Sequence, residues 1–298
     1  MSIITNILKN RGIKEYQPIS IVQPLNKKYT IEYKSNKYSC QVSHILYTPV
    51  AILLELPEPN DIIFESNCIY NLSTLSCTNE LPIVLKLCLL QVINVNNKKI
   101  WLFEVVDVSF SRSILELFYL KRIYGHSKAK NVNFIENFNF KHFTKLVALF
   151  SQPKKVFLVT LFQNNRQHNF PVDLCAELSN FVVIGIRNTN NAAKALIMNS
   201  EFYISSVLAS KHKEIYSFGK FGSNNMKDHA EDTKKLPTEL ICDVKKVRLK
   251  QIIRMEYQTI YCNEIIEYKQ LRDENESLFH LHKFWFLHTN NSLKFEFV

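Results

Sequence analysis

From Lys28 to about Val108 the chain reads as strand after strand. YTIEYKS and KYSCQVSHI alternate polar and apolar residues, the two-residue period of a half-buried strand. VAILLEL, DIIFES, IVLKLCLLQVINV and IWLFEVVDVSF follow as apolar strand candidates, with turns at Pro57 to Asp61 and Asn94 to Asn97. Lys121 to Lys130, basic and holding one glycine, reads as a connector. The period then changes. Phe140, Phe143, Leu146, Val147 and Phe150 recur at helical spacing in NFKHFTKLVALF, which predicts an amphipathic helix over 139–150. Beyond Pro153 strands return as KVFLVTLF, as NFPVDLCAEL after a polar turn, and as FVVIGI. Arg187 to Asn191 leads into AAKALIMNS, a short helix whose entry is rich in capping residues. EFYISSVL is a strand and KHKEIYSFGK a helix stopping near Gly219. ELICDVKKVRLKQII, QTIYCNEIIEYKQ and FHLHKFWFL close the chain as strands. The fold class is mainly β, a β-barrel with short helices. A β-rich N-terminal domain is expected over 1–135 and a second domain over 136–298.

Two stretches echo each other at three points. Leu81-Pro82 and Leu236-Pro237 open them, FEVVDV matches NEIIEY, and LFYLKRIY matches LFHLHKFW. As a duplication, this makes the chain a fused pair of barrels, one degenerate. Strand-rich apolar sequence also produces such echoes by chance.

Composition narrows the chemistry. Phe (21) and Tyr (13) are abundant among 298 residues and Gly (5) is scarce, which suits strands and leaves no glycine-rich phosphate loop. Net charge is +10, but the cations are scattered, so nucleic-acid binding is not expected. Seven cysteines form no C-x-x-C pair and read as buried thiols of a reducing compartment. The first residues lack a signal-peptide core, and Ile83 to Ile93 is too short to span a bilayer, so a cytoplasmic location without membrane contact is expected. His280 and His282 alternate on one strand without a third ligand, so no metal site is expected. No hydrolase motif occurs.

The stretch Lys155 to Val207 carries the strongest signal. Its stations are Leu158-Val159-Thr160, His168 to Leu174, Ile184-Gly185-Ile186-Arg187, Asn191 to Ile197, and Phe202 to Ser205. Leu278 to Phe284 follows downstream as a closing strand. In this order they resemble the flavin reductase-like family of FMN-binding split β-barrels. The resemblance covers the C-terminal half only. Ala192 stands where the family has a threonine, and Asp173 where a serine or threonine is usual.

The resemblance implies FMN, or FAD, as cofactor, NAD(P)H as reductant, and a homodimer. A phosphate favours a helix N-terminus and cations. Arg187, Asn188, Thr189, Asn190, Asn191 and Lys194 are its candidates. Thr160, Asn169 and Asp173 suit the ribityl hydroxyls, and Pro171, Val172, Asp173, Leu174 and Cys175 flank the ring. His280 is the candidate catalytic residue near the hydride donor. Tyr216, Phe218 and Phe221 read as ring caps or core. The function implied is flavin-dependent oxidoreduction. A non-catalytic flavin- or haem-binding module, or a cofactor-free interaction protein on the same fold, stays open beside it.

Overall fold

The structure, a computed structural model, describes residues 16–21, 29–56, 62–74, 83–95, 98–109, 114–130, 139–150, 153–163, 166–178, 180–220, 236–282 and 295–297. They divide into two compact units, Asn26–Phe150 and Ser151–Val298 with Met1–Leu25. The first strand, β1 (Tyr16–Ile21), thus belongs to the second unit.

In the first unit, β2 (Tyr29–Tyr33), β3 (Asn36–Tyr47), β4 (Val50–Glu55), β5 (Ile69–Thr74), β6 (Val84–Val95) and β7 (Lys98–Ser109) close a barrel in the order β2-β3-β4-β7-β6-β5. Lys34 and Ser35 turn the β2–β3 hairpin at φ 47 and 65, the left-handed region that two-residue hairpins require. DIIFES, expected as a strand, is not one over its described residues. Ile62 and Phe64 point inward from an irregular segment, and Phe64 is the hub of the core. Its ring meets Tyr33, Tyr70, Trp101 and Phe103 edge-on at 4.8–5.4 Å, an arrangement that suits aromatic quadrupoles. The expected connector at Lys121 to Lys130 is instead part of a helix, α1 (Ile114–Lys130). Leu120 and Ile123 bury its narrow apolar edge, which the surrounding charges hid in the sequence. The helix expected at 139–150 is α2 (Phe140–Phe150), capped by the Asn139 carboxamide accepting from His142 N at 2.8 Å.

The second unit holds β8 (Lys154–Lys155), β9 (Phe157–Gln163), β10 (Arg166–Val172), β11 (Cys175–Leu178) and β12 (Phe181–Arg187). Helix α3 (Asn191–Met198) leads to β13 (Glu201–Ser206), and helix α4 (His212–Lys220) follows. β14 (Asp243–Arg254), β15 (Gln258–Gln270), β16 (Leu278–His282) and β17 (Phe295–Phe297) complete it. One sheet runs β10-β9-β13-β14-β15-β12-β11, and a second runs β17-β1-β16-β8. The first sheet begins and ends on strands that are neighbours in sequence. NFPVDLCAEL is therefore two strands, and the barrel is split at Asp173-Leu174.

The two units share one topology. Each strand contact of the first barrel recurs when β2, β4, β5, β6 and β7 are matched with β9, β12, β13, β14 and β15, and β3 with β10 plus β11. Registers match as well. Lys86–Asp107, Leu87–Val105, Leu89–Phe103 and Gln91–Leu102 recur as Lys246–Glu267, Val247–Ile265, Leu249–Asn263 and Gln251–Cys262, both β-bulges included. Thr30–Ser73 recurs as Thr160–Tyr203, and Ala51–Glu104 as Phe181–Glu264. The FEVVDV/NEIIEY echo is therefore a structural equivalence. The echo of LFYLKRIY with LFHLHKFW is not, because the first lies in α1 and the second begins β16. The Leu81-Pro82 echo lies outside the described residues.

The copies differ in three places. Val42 of β3 corresponds to Val172 by the hairpin register but to Cys175 by pairing with the next strand, so the second barrel carries extra residues around Asp173. Residues 207–242, with α4, replace the short 75–83 link between β5 and β6. The β13–β14 pair also slides, Tyr203 facing Lys246 where Ser73 faces Val84. Among the described residues, no helix is long and apolar enough to cross a membrane.

Candidate functional site

The candidate residues fall into three groups. The first is the corner where β12 meets α3. Phe181 to Ile186 are buried, and Arg187 emerges into solvent at the strand end. Asn190 caps α3, its Oδ1 accepting from Ala192 N at 3.0 Å, and the Asn190 carbonyl accepts from Ala193 N. Asn188 braces the β14–β15 turn. Its Nδ2 donates to the Met255 and Glu256 carbonyls at 2.9 Å, and its Oδ1 accepts from the Thr259 hydroxyl at 2.7 Å. Buried Tyr261 donates to the Ala193 carbonyl at 3.0 Å and pins the helix. Arg187, Thr189, Asn191 and Lys194 are exposed at this corner. Exposed Arg254 lies nearby, since Thr259 pairs with both Ile186 and Arg254. Two of the expected phosphate ligands thus use their side chains within the fold. Three cations at a helix N-terminus still suit a phosphate in charge.

The second group is the β9–β10 pair. Thr160, almost fully buried, donates to Asn169 Oδ1 at 2.8 Å, and Gln167 Nε2 donates to the same oxygen at 3.2 Å. Pro171 and Val172 pair with Leu158 and Phe157, and Pro171 is tolerated because β10 ends the sheet. Leu174 is buried and its carbonyl accepts from Gly185 N at 2.9 Å. Burial, with Glu177 adding to it, pushes the Cys175 thiol up, away from thiolate chemistry.

The third group forms at the split. Asp173 Oδ2 lies 3.4 Å from His280 Nδ1, with side chains 23% and 16% exposed. The Tyr216 ring of α4 sits 5.3 Å from the His280 ring. Lys154 of β8 pairs with His280 of β16. Burial lowers the Lys154 ammonium to about 7, against the pull of the Asp173 carboxylate. Sequence reasoning placed Asp173 beside the cofactor, read Tyr216 as a ring cap or core, and missed Lys154, which no local pattern marks. The side chain of His282, and Phe221, lie outside the described residues.

A further polar cluster was not legible in the sequence. Lys245, 1% exposed, pairs with Asp243 at 2.7 Å and Glu177 at 3.0 Å. Ser206 donates to Asp243 from its backbone N–H at 2.9 Å and from its hydroxyl at 2.7 Å. Burial alone would lower the Lys245 ammonium, but the Glu177 and Asp243 carboxylates hold it above the ordinary lysine value.

No family model matches the chain, and no curated protein does. Among solved structures it is similar to the Streptomyces globisporus C-1027 NADH:FAD oxidoreductase SgcE6, at 13% identity and a TM-score of 0.41, over 55% of this chain and 98% of that one. It is similar to flavoredoxin from Methanosarcina acetivorans at 11% identity and a TM-score of 0.39, over 49% and 85%. An FMN-binding protein from Thermus thermophilus matches at 12% identity and a TM-score of 0.35, over 40% and 73%.

Proposed function

We propose that the second barrel binds FMN, or FAD, and that the chain is a cytoplasmic, homodimeric flavin-dependent oxidoreductase reduced by NAD(P)H. The observation that carries the reading is the β12–α3 corner. The strand of the motif runs into an asparagine-capped helix flanked by Arg187, Lys194 and Arg254, a field suited to a dianionic phosphate. Arg187, Thr189, Asn191 and Lys194 would hold the phosphate. The 169–175 segment would flank the ring, and His280 would serve the reacting end. FMN supplies the hydride chemistry when bound.

Wild-type protein incubated with FMN and then desalted is expected to keep the flavin absorption bands. Arg187→Ala is expected to weaken retention roughly 10–100-fold, the worth of one charge-assisted hydrogen bond. A colourless desalted wild type at micromolar concentration would overturn the tight-binding reading. A second reading, a cofactor-free interaction protein, draws on Asn188 and Asn190 being engaged within the fold. Flavin retained without NAD(P)H oxidation would instead point to a carrier.

A further inference from the structure

The first barrel serves as an internal reference for the second. Two of the segments that distinguish the copies are the extra residues around Asp173 and the long 207–242 link. Both deliver a polar side chain to one spot, since Asp173 lies at the split and Tyr216 on α4, which packs against β10. There they meet His280 and its strand neighbour Lys154. Among the described residues none of the four has a counterpart at this place in the first barrel, where β3 runs on unbroken and α1 follows β7.

The spot is poorly built for stability. The Tyr216 hydroxyl is buried and has no hydrogen-bond partner among the described residues. Such an orphan costs free energy that a phenylalanine would not. Burial, then the Asp173 carboxylate, push the Tyr216 hydroxyl up, so it stays a hydrogen-bond donor. The half-buried Lys154 ammonium is also disfavoured, its charge opposed by desolvation. Destabilising polar groups gathered at one place are characteristic of sites kept for chemistry.

We propose that Lys154, Asp173, Tyr216 and His280 form a proton-transfer site in which His280 carries the proton on Nε2 and Asp173 is its positioning residue. Asp173 accepts from His280 Nδ1–H, which fixes the tautomer and leaves Nε2 as the basic nitrogen. When Nε2 takes a proton from a bound acid, the substrate keeps the electron pair and the Asp173 carboxylate stabilises the imidazolium. Return of that proton to substrate or solvent restores the neutral ring. The Tyr216 hydroxyl donates to the substrate oxygen, so the substrate class is a carbonyl or hydroxyl compound. The inference deepens the flavin reading by placing proton traffic at the split rather than at the β12–α3 corner, and its test needs no flavin.

The test uses the full chain. Long-range ¹⁵N–¹H NMR of the histidine side chains is expected to show His280 as the Nδ1–H tautomer. Asp173→Asn should move most of the signal away from that form, and Asp173→Glu should restore it. Tyr216→Phe should raise Tm by ~2–4 °C, as expected for removal of an orphan hydroxyl. An unchanged tautomer in Asp173→Asn, or a lowered Tm in Tyr216→Phe, would overturn the proposal. If both results hold while the wild type retains no flavin, the tight-binding flavin reading fails and the proton-transfer site stands.

Discussion

Asp243→Ala is expected to destabilise the second barrel by about 3–5 kcal/mol, the cost of leaving a buried charge without its partner. Lys245 is 1% exposed and Asp243 fully buried, so water cannot replace the lost carboxylate. Glu177, at 3.0 Å, would remain, but its side chain is 35% exposed and its pull is screened accordingly. The Ser206 N–H and hydroxyl would lose their acceptor in the same step. The double variant Asp243→Ala/Lys245→Met should recover most of the loss, because removing both charges leaves neither orphaned. Urea unfolding of the full chain measures this. A loss under about 1 kcal/mol for Asp243→Ala would mean that Glu177 alone suffices.

Lys154→Met should have the opposite sign. The Lys154 ammonium is lowered from 10.5 to about 7 by burial, only partly offset by Asp173. Between those values the unfolded chain holds a proton that the folded chain does not, so stability rises with pH across that window and is lowest near and below pH 7. Methionine keeps the length and removes the penalty. The variant should gain ~2–4 kcal/mol near neutral pH, allowing for partial exposure, and the gain should shrink as pH approaches 10. Paired urea melts near pH 6.5 and 9.5 would show it. A gain independent of pH would assign the effect to packing instead.

Much of the fold could be read from periodicity. The long β6–β7 and β14–β15 hairpins stand out as apolar strand runs, and α2 and α3 carry apolar spacing with Asn139 and Asn190 as caps. Ile62 to Glu65 alternates inward and outward like a strand yet pairs with none of the described strands, and periodicity cannot register a missing partner. In α1 only Leu120 and Ile123 are buried among the residues whose burial is defined, a stripe too narrow to stand out from its charges. The candidate residues around Arg187 were visible because cap, loop and helix are contiguous. The contacts of Asp173 with His280, and of Lys245 with Glu177, join residues far apart in sequence, and only the topology brings them together. Which asparagines of 188–191 serve the fold was hidden for the same reason, since Asn188 bonds to the distant β14–β15 turn.

Two hairpins with one register in one chain create a hazard during folding. Each β6–β7 strand could in principle dock on the wrong partner, because the bulges coincide and Lys86 could face Glu267 as readily as Lys246 does. Strand exchange between like domains is a common misassembly of multidomain chains. The interiors discourage it. Where the first barrel has Phe103 against the Phe64 hub, the second has Asn263, whose amide donates to the Val182 and Tyr261 carbonyls. A swapped hairpin would bury that amide among aromatic rings and part it from the Val182 carbonyl, so divergence at this core position disfavours the exchange.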